Sequence, residues 1–315
     1  MNEVHSYLCI KEIQVQGANA VSSPLTYGFP AITSFLGAVH ALGRKIPFDE
    51  GDIHLDGALI ASHETRVKRY RPNNYSDYTL NQTRNPIKKT GKTAAIVEEG
   101  KLDMRVSLVI PVRCDDDGAD WLEDNPKLFT DWAHQAFYGQ RLSGGSVFAV
   151  GSVELISSES LDDLKARLAP AFILMDARQE LADITEELQR NNPEATPLDA
   201  LMEVAVLHHV PQVAQNDADN EKSENKASPN WRTTSVKHGR GWLVPMPVGY
   251  QAISPLFEPG VMKQCRTPQY PSQFVESLYS LGKWVFPYSL SSLESAFWHM
   301  SDGNDGFYLV EQATN

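Results

Sequence analysis

The 315-residue chain has few cysteines, no long apolar run and none of the common catalytic signatures. Cys9, Cys114 and Cys265 are odd in number, far apart and without a C-x-x-C pair, which argues against both a disulfide framework and a zinc site. A reducing cytoplasm is the expected compartment. The longest uncharged stretch worth testing, 241–257, is broken by Pro245, Pro247 and Pro255 and falls short of the ~20 apolar residues a membrane span needs. Met1 to Ile10 carries Glu3 and His5 and lacks the basic start and apolar stretch of a secretory signal. No G-x-S-x-G elbow is present, and no H-x-x-x-H occurs among the nine histidines. His208 and His209 are adjacent, so on a helix they would point about 100° apart and not share a metal. Gly91-Lys92-Thr93 resembles the end of a phosphate-binding loop, but the glycine required five residues earlier is Pro86, which excludes nucleotide hydrolysis at this point. The run Asp115, Asp116, Asp117 lacks the spacing of a calcium loop and reads as a solvated turn. No cofactor and no metal are expected.

What is present is a globular composition, 42% apolar and 22% charged, long enough for two domains or one elaborated domain. A net charge of −12 argues against binding nucleic acid over the whole surface. Its distribution says more. Between Arg66 and Lys92, eight cations (Arg66, Lys68, Arg69, Arg71, Arg84, Lys88, Lys89, Lys92) face one acid, Asp77. That is a local +7, leaving −19 on the rest of the chain. Tyr70, Tyr75 and Tyr78 are interleaved with these cations, and such a pattern can hold phosphates while bases stack on rings. A solvated loop whose charges offset a neighbouring acidic surface fits the same residues.

Alternation over Tyr7–Gln16 predicts a strand, and Ile32, Phe35, Leu36, Val39 and Leu42 predict a helix from Pro30 to Gly43, with His40 half-buried or facing a partner. Leu55–His63 and Leu102–Val112 predict strands, Asp124–Arg141 a helix and Val147–Ile156 a strand. The order β, α, β, β, α, β is that of a ferredoxin-like or RNA-recognition core, with residues 66–98 as an excursion. The expected fold class is therefore α+β, with a core over residues 1–160 that carries a basic insertion at about 64–100, and a helical and mixed region over 161–315. In the latter, helices are expected at Leu161–Leu168, Arg178–Asn191, Pro197–His208, Phe274–Gly282 and Leu290–Met300, strand-like alternation over Trp231–Val244, and a mobile loop over Gln212–Ser228. Trp284 and Trp298 are candidate core residues.

Five collinear segments carry a resemblance: Ala18 to Pro30 (ANAVSSPLTYGFP); Thr83-Arg84-Asn85-Pro86 with Thr93 to Gly100; Arg141 to Ser146; Gly241 to Pro245 with Gly249-Tyr250 and Ser254-Pro255-Leu256; and Phe274-Val275-Glu276 to Trp284. Together they resemble the Cas-five-type subunit of the type I-F CRISPR surveillance complex, the Csy complex. The resemblance implies a non-enzymatic, RNA-binding ribonucleoprotein subunit of antiviral defence, with a RAMP-type ferredoxin-like core and an inserted thumb-like hairpin. It further implies pairing with the large subunit at the 5′ handle of the CRISPR RNA, contact with the first backbone subunit, and an indirect relation to target DNA through the complex.

Carried onto this chain, the resemblance makes the Ser22–Phe29 loop the first candidate for RNA contact, through Ser22, Ser23, Thr26, Tyr27 and Gly28. A helix-entry loop packing the core is the other reading of that segment. Arg84 and Asn85 are the second candidate, with Arg suited to phosphate and Asn to a base edge; a turn begun at Asn-Pro is the other reading. Arg66, Lys68, Arg69, Lys88, Lys89 and Lys92 match the family in being basic, and Arg141 opens the Arg141–Ser146 segment, whose glycines fit either close phosphate approach or a plain turn. Two alternatives compete: a metal-independent CRISPR RNA endonuclease, which needs a general acid or base beside the 2′-hydroxyl and for which His63 and Tyr70 are the positions to test, and a protein scaffold whose cations meet an acidic partner.

Overall fold

The computed structural model describes residues 3–49, 51–212, 230–265, 267–301 and 306–313. The elements in chain order are β1 (Val4–Asn19), α1 (Ile32–Gly43), β2 (His54–Leu55), β3 (Leu59–Tyr70), β4 (Thr79–Arg84), β5 (Ile96–Glu99), β6 (Lys101–Arg113), α2 (Asp116–Asp124), α3 (Pro126–Tyr138), β7 (Arg141–Leu142), β8 (Gly145–Ala149) and β9 (Ser152–Ser157). There follow α4 (Leu164–Leu168), β10 (Phe172–Asp176), α5 (Arg178–Asn191), α6 (Pro197–Ala205), β11 (His208–Gln212), β12 (Asn230–Thr234), β13 (Trp242–Ala252), β14 (Val275–Val285), β15 (Trp298–Met300) and β16 (Phe307–Gln312). The architecture is α+β and rich in antiparallel sheet. The chain forms two compact units, one of residues 1–176, 246–279 and 285–315, the other of 177–245 and 280–284.

In the first unit β1 is the central strand. It pairs antiparallel with β6 on one side and with β8 and β9 on the other, and β3 pairs antiparallel with the far edge of β6. The first half of β1, Ser6 to Ile10, is buried on both faces. Tyr7 and Cys9 join Leu59, Val109, Leu164, Ile173 and Phe297 in one apolar cluster, and Leu8 and Ile10, pointing the other way, are fully buried too. At Glu12 the register shifts and φ is 51°, a bulge, and beyond it Ile13 and Val15 stay buried while Glu12, Gln14 and Gln16 face solvent. One face of the sheet thus changes from apolar to polar halfway along. Phe35 of α1 with Phe129 and Phe137 of α3 are fully buried; truncating any one to Ala should cost about 3–5 kcal/mol.

Several expected elements are corrected by long-range contacts. The Leu55–His63 strand is interrupted at Gly57 (φ 74°), where a Cβ would lie 2.4 Å from His299 Nδ1, and β3 runs on through Tyr70. The Val147–Ile156 strand is two strands, turned at Gly151. The acidic run is no loose turn: Asp115 caps α2, accepting the Gly118 N–H at 2.9 Å and the Asp52 N–H at 2.9 Å, and these bonds hold its carboxyl below the usual range. The Leu161–Leu168 helix starts as a 3-10 turn over Ser158–Asp163. The closing helices are absent: Phe274–Gly282 lies mostly in β14, and Leu290–Met300 holds a single 3-10 turn, Glu294–Ala296, before β15. Gln312 explains the latter. Its buried side chain accepts the Asp176 N–H at 2.7 Å and donates to the carbonyls of Leu174 and Ala296, while Trp298 Nε1 also donates to Leu174 O, stitching the C-terminal segment to β10.

In the second unit α5 spans the expected Arg178–Asn191, while α6 stops at Ala205 and His208 begins a strand. Thr196 and Asp199 form a reciprocal capping box on α6. Arg240 pairs with Glu180 and Glu187, and Lys283 with Glu180 at 3.1 Å. The expected loop over Gln212–Ser228 lies, beyond Gln212, outside the described residues.

Candidate nucleic-acid interface

Three of the segments singled out in the sequence meet at the C-terminal end of β1. The Asn19 N–H donates to Ser143 O at 2.8 Å, and the next residue, Ala20, donates to Gly100 O at 2.9 Å. Asn19 thus ties in the Arg141–Ser146 turn on one side, and Ala20 ties in the root of the basic excursion on the other. The chain then enters the Ser22–Phe29 loop. A Cβ at Gly100 would lie 2.4 Å from the Val21 side chain, so a larger residue would have to displace Val21 where the corner between β5 and β6 meets the loop.

The loop's hydroxyls are spent on the loop itself. Ser22 Oγ and Ser23 Oγ lie 2.7 and 2.6 Å from Thr26 Oγ1, and Ser23 Oγ accepts the N–H groups of Leu25 and Thr26. Gly28, at φ 124°, donates its N–H to Ala20 O. Phe29 stacks on Phe35 at 5.4 Å, so the core-packing reading holds for this end of the loop. What remains outward is Pro24, Leu25 and the Tyr27 ring, all exposed.

The excursion is two structures. β3 continues past the sheet and pairs with β4 at Arg69–Leu80 and Tyr70–Thr79, and β4 then pairs with β5 from Asn81–Glu99 to Arg84–Ile96 as a hairpin of its own. The cations fall into three groups. Arg66 and Lys68 reach Asp103 of β6 at 3.4 and 2.8 Å, and are compensated there. Burial alone would raise the Asp103 carboxyl, but hydrogen bonds from Lys68, the Gly17 N–H and Arg66 outweigh it and hold the carboxyl low. Arg69 and Arg71 lie over the Tyr78 ring at 4.2 and 4.7 Å, within cation–π range. Arg84, Asn85, Lys88, Lys89 and Lys92 are all exposed at or beyond the end of β4, where Lys88 and Lys92 close a turn through Gly91. Among the described residues no carboxylate lies within ion-pair distance of these last four cations.

Arg141 borders a groove of about 570 Å³ that runs along α1 from its start to Lys45 beyond its end and reaches the β7–β8 turn, lined also by Asn19, Ser22, Thr33, Gln140 and Tyr250. No side chain caps α1, and its first-turn residues Thr33 and Ser34 line the groove, so the positive end of the helix dipole lies at its wall. Lys45, which bonds Gln140 at 3.2 Å, escaped the sequence reading, and Tyr250 is marked there only within the Gly249-Tyr250 motif, not as a site residue. Lys45 lies outside the charged run, and Tyr250 arrives from β13, far along the chain from the loop, so no local signal placed either at the groove.

The polar face of the sheet sets Glu12, Glu64 and Asp103 against Arg66 and Arg105, with Arg105 and Glu12 3.2 Å apart. It has no aromatic ring among its lining residues, so bases cannot stack there as they do on RNA-recognition sheets. His63 is engaged in structure: Nε2 lies 2.8 Å from Ser107 Oγ, which also accepts the Glu12 N–H at the bulge. Burial, then the nearby Arg105, hold its pKa below the ordinary value. Tyr70 stands seven residues further along the same strand, about 23 Å at ~3.3 Å per residue. The two candidate positions of the endonuclease reading therefore stand apart rather than side by side.

A family model described as CRISPR-associated protein (Cas_Csy2) matches residues 8–310. CRISPR-associated protein Csy2 of Pseudomonas aeruginosa (strain UCBPP-PA14) is 34% identical over 325 residues, covering 98% of this chain and 95% of that protein. Both matches correct the subunit assignment drawn from the motifs: the chain is matched as Csy2 and not as the Cas-five-type subunit, and the pairing with a large subunit at the 5′ handle that rested on that assignment falls with it. Collinear loop motifs had marked CRISPR kinship without fixing which subunit carries them. With the match running over nearly its whole length, the chain belongs to the Csy2 family of CRISPR-associated proteins.

Proposed function

We propose that the chain is a non-catalytic, RNA-binding subunit of the type I-F CRISPR ribonucleoprotein, the Csy complex, working in the cytoplasm, and that it holds CRISPR RNA between the β4–β5 hairpin and the Arg141 groove. The observation that carries this reading is the junction at Asn19 and Ala20, which gathers loop, hairpin root and Arg141 turn around one strand end. Hairpin cations that have no carboxylate partner among the described residues, and a groove that holds the uncapped start of α1 together with Arg141 and, at the helix's other end, Lys45, suit a phosphate backbone. We infer also that the strand order β9–β1–β6–β3, antiparallel at each step, with helices after β1 and β6, is a RAMP-type ferredoxin-like core with a thumb-like insertion.

The test is a titration of the full chain with a CRISPR RNA at several salt concentrations, beside the variant Arg84→Glu/Lys88→Glu/Lys92→Glu. Binding that weakens with salt, and a variant with lower affinity and a shallower salt slope, are expected. Affinity indifferent to both would overturn the reading, and cleavage of precursor RNA in EDTA would overturn its non-catalytic part.

A further inference from the structure

The Ser254-Pro255-Leu256 segment, conspicuous in the sequence and unused by the RNA interface, begins a second excursion of the first unit. Two legs run between β13 and β14. They are tied by the Ile253 N–H to Phe274 O at 3.0 Å, by reciprocal bonds between Phe257 and Ser272 at 2.8 and 3.0 Å, and by T-shaped packing of Phe257 on Phe274. Ser254 is the clamp: its Oγ accepts the Phe274 N–H and its carbonyl accepts from Gln273. Despite this ordered base, Ile253, Leu256, Val261, Tyr270, Phe274 and Val275 are each about half to two-thirds exposed.

We propose that this arm, residues 253–275, is a protein-docking element that seats in an uncharged apolar groove of a neighbouring subunit in the complex. Its charge excludes the ligand of the first excursion: Glu258, Lys263 and Arg266 sum to +1 over the arm, against +7 over residues 66–92. Pro255, Pro259, Pro268 and Pro271 remove backbone donors along both legs, so the arm is unsuited to extending a partner's sheet and makes contact through side chains. The area is of the right order. At roughly 200 Å² for a fully exposed large apolar residue, the six side chains present on the order of 600 Å², at the upper end for patches left open on monomers, against about 800 Å² per partner in a stable interface.

The inference rests on the proposed function only in that the chain works within an assembly. Two measurements test it on the full chain. Hydrogen exchange of residues 253–275 is compared between the isolated protein and the complex reconstituted with its other subunits; slowing on assembly is expected, and equal exchange overturns the proposal. Leu256→Asp/Tyr270→Asp is then co-purified with those subunits, with recovery expected to fall about tenfold or more while affinity for CRISPR RNA and its salt slope stay unchanged. Undiminished recovery, a lost RNA affinity, or a wild-type dimer in isolation that the substitutions dissolve would each overturn it, the last by assigning the arm to a second copy. Loss of RNA binding in the Arg84 variant without any change in subunit recovery leaves the docking proposal standing, so the two readings fail separately.

Discussion

Two excursions leave the first unit, and they share little beyond being antiparallel ribbons. The β4–β5 hairpin carries Arg84 at its end with Lys88, Lys89 and Lys92 in the turn beyond, and among the described residues these cations have no carboxylate partner. The 253–275 arm is close to neutral and holds its apolar side chains in water. Leaving a cation solvated costs little, whereas leaving half a dozen large apolar groups solvated forfeits burial at ~25 cal/mol per Å². The hairpin also leaves Ile87, Ile96 and Val97 in water, but sets them beside cations and is suited to bind by charge, whereas the arm presents apolar surface with almost no net charge. Among the described residues, each excursion's chemistry is poorly suited to the other's partner.

The largest effect that separates them is expected from Arg84→Glu/Lys88→Glu/Lys92→Glu. Reversing three phosphate-facing charges should weaken RNA binding on the order of a hundredfold near physiological salt and flatten the salt slope by about two, with subunit recovery unaltered. A parallel loss of subunit recovery would break the comparison. Next comes the foundation of the interface. Ser23→Ala removes the acceptor of two backbone N–H groups from a buried site and should cost about 1–3 kcal/mol in chemical denaturation. Because those hydroxyls bond within the loop, RNA affinity of the folded variant should change less than about threefold; a larger loss would mean the serines reach RNA after all. Smaller still is Arg66→Ala. Its charge is already compensated by Asp103 at 3.4 Å, so the affinity loss should stay under about twofold and below that of Arg84→Ala.

These expectations show how far the sequence carries. Alternation along β1 and the spacing of Ile32, Phe35, Leu36, Val39 and Leu42 are local signals that survived folding, because each element's own face decides its burial. The Arg178–Asn191 helix, whose exposed polar face dominates, was equally plain. The segment 274–285 was not. Its apolar spacing fits a helix as well as a strand, and the choice falls to partners such as Ala177, whose N–H donates to Leu281 O. At the site, the sequence located the basic run but could not see that Asp103 compensates two of its cations, or that Thr26 absorbs the hydroxyls of Ser22 and Ser23. Charge is legible residue by residue; its compensation depends on which strands become neighbours.

The smallest expected effect concerns the polar line under the hairpin, where β1, β3 and β6 are joined by the Glu12 N–H, Ser107 and His63. The folded protein holds the pKa of His63 below its ordinary 6.5, chiefly by burial, with Arg105 adding to it. In the window between the folded value and 6.5 the unfolded chain binds more protons than the native one, so stability rises with pH across it. The contribution is complete above about 6.5 and is lost as pH falls through the lowered folded value. His63→Gln has an uncharged side chain that can still reach Ser107, and should remove this part of the pH dependence while leaving stability at pH 8 within about 1 kcal/mol of wild type. Denaturant midpoints of both proteins from pH 5 to 8 check it. If the wild-type curve keeps its slope in the variant, the titrating group lies elsewhere. If RNA affinity at constant salt also tracks His63, then the polar sheet face takes part in binding and the hairpin does not hold the RNA alone.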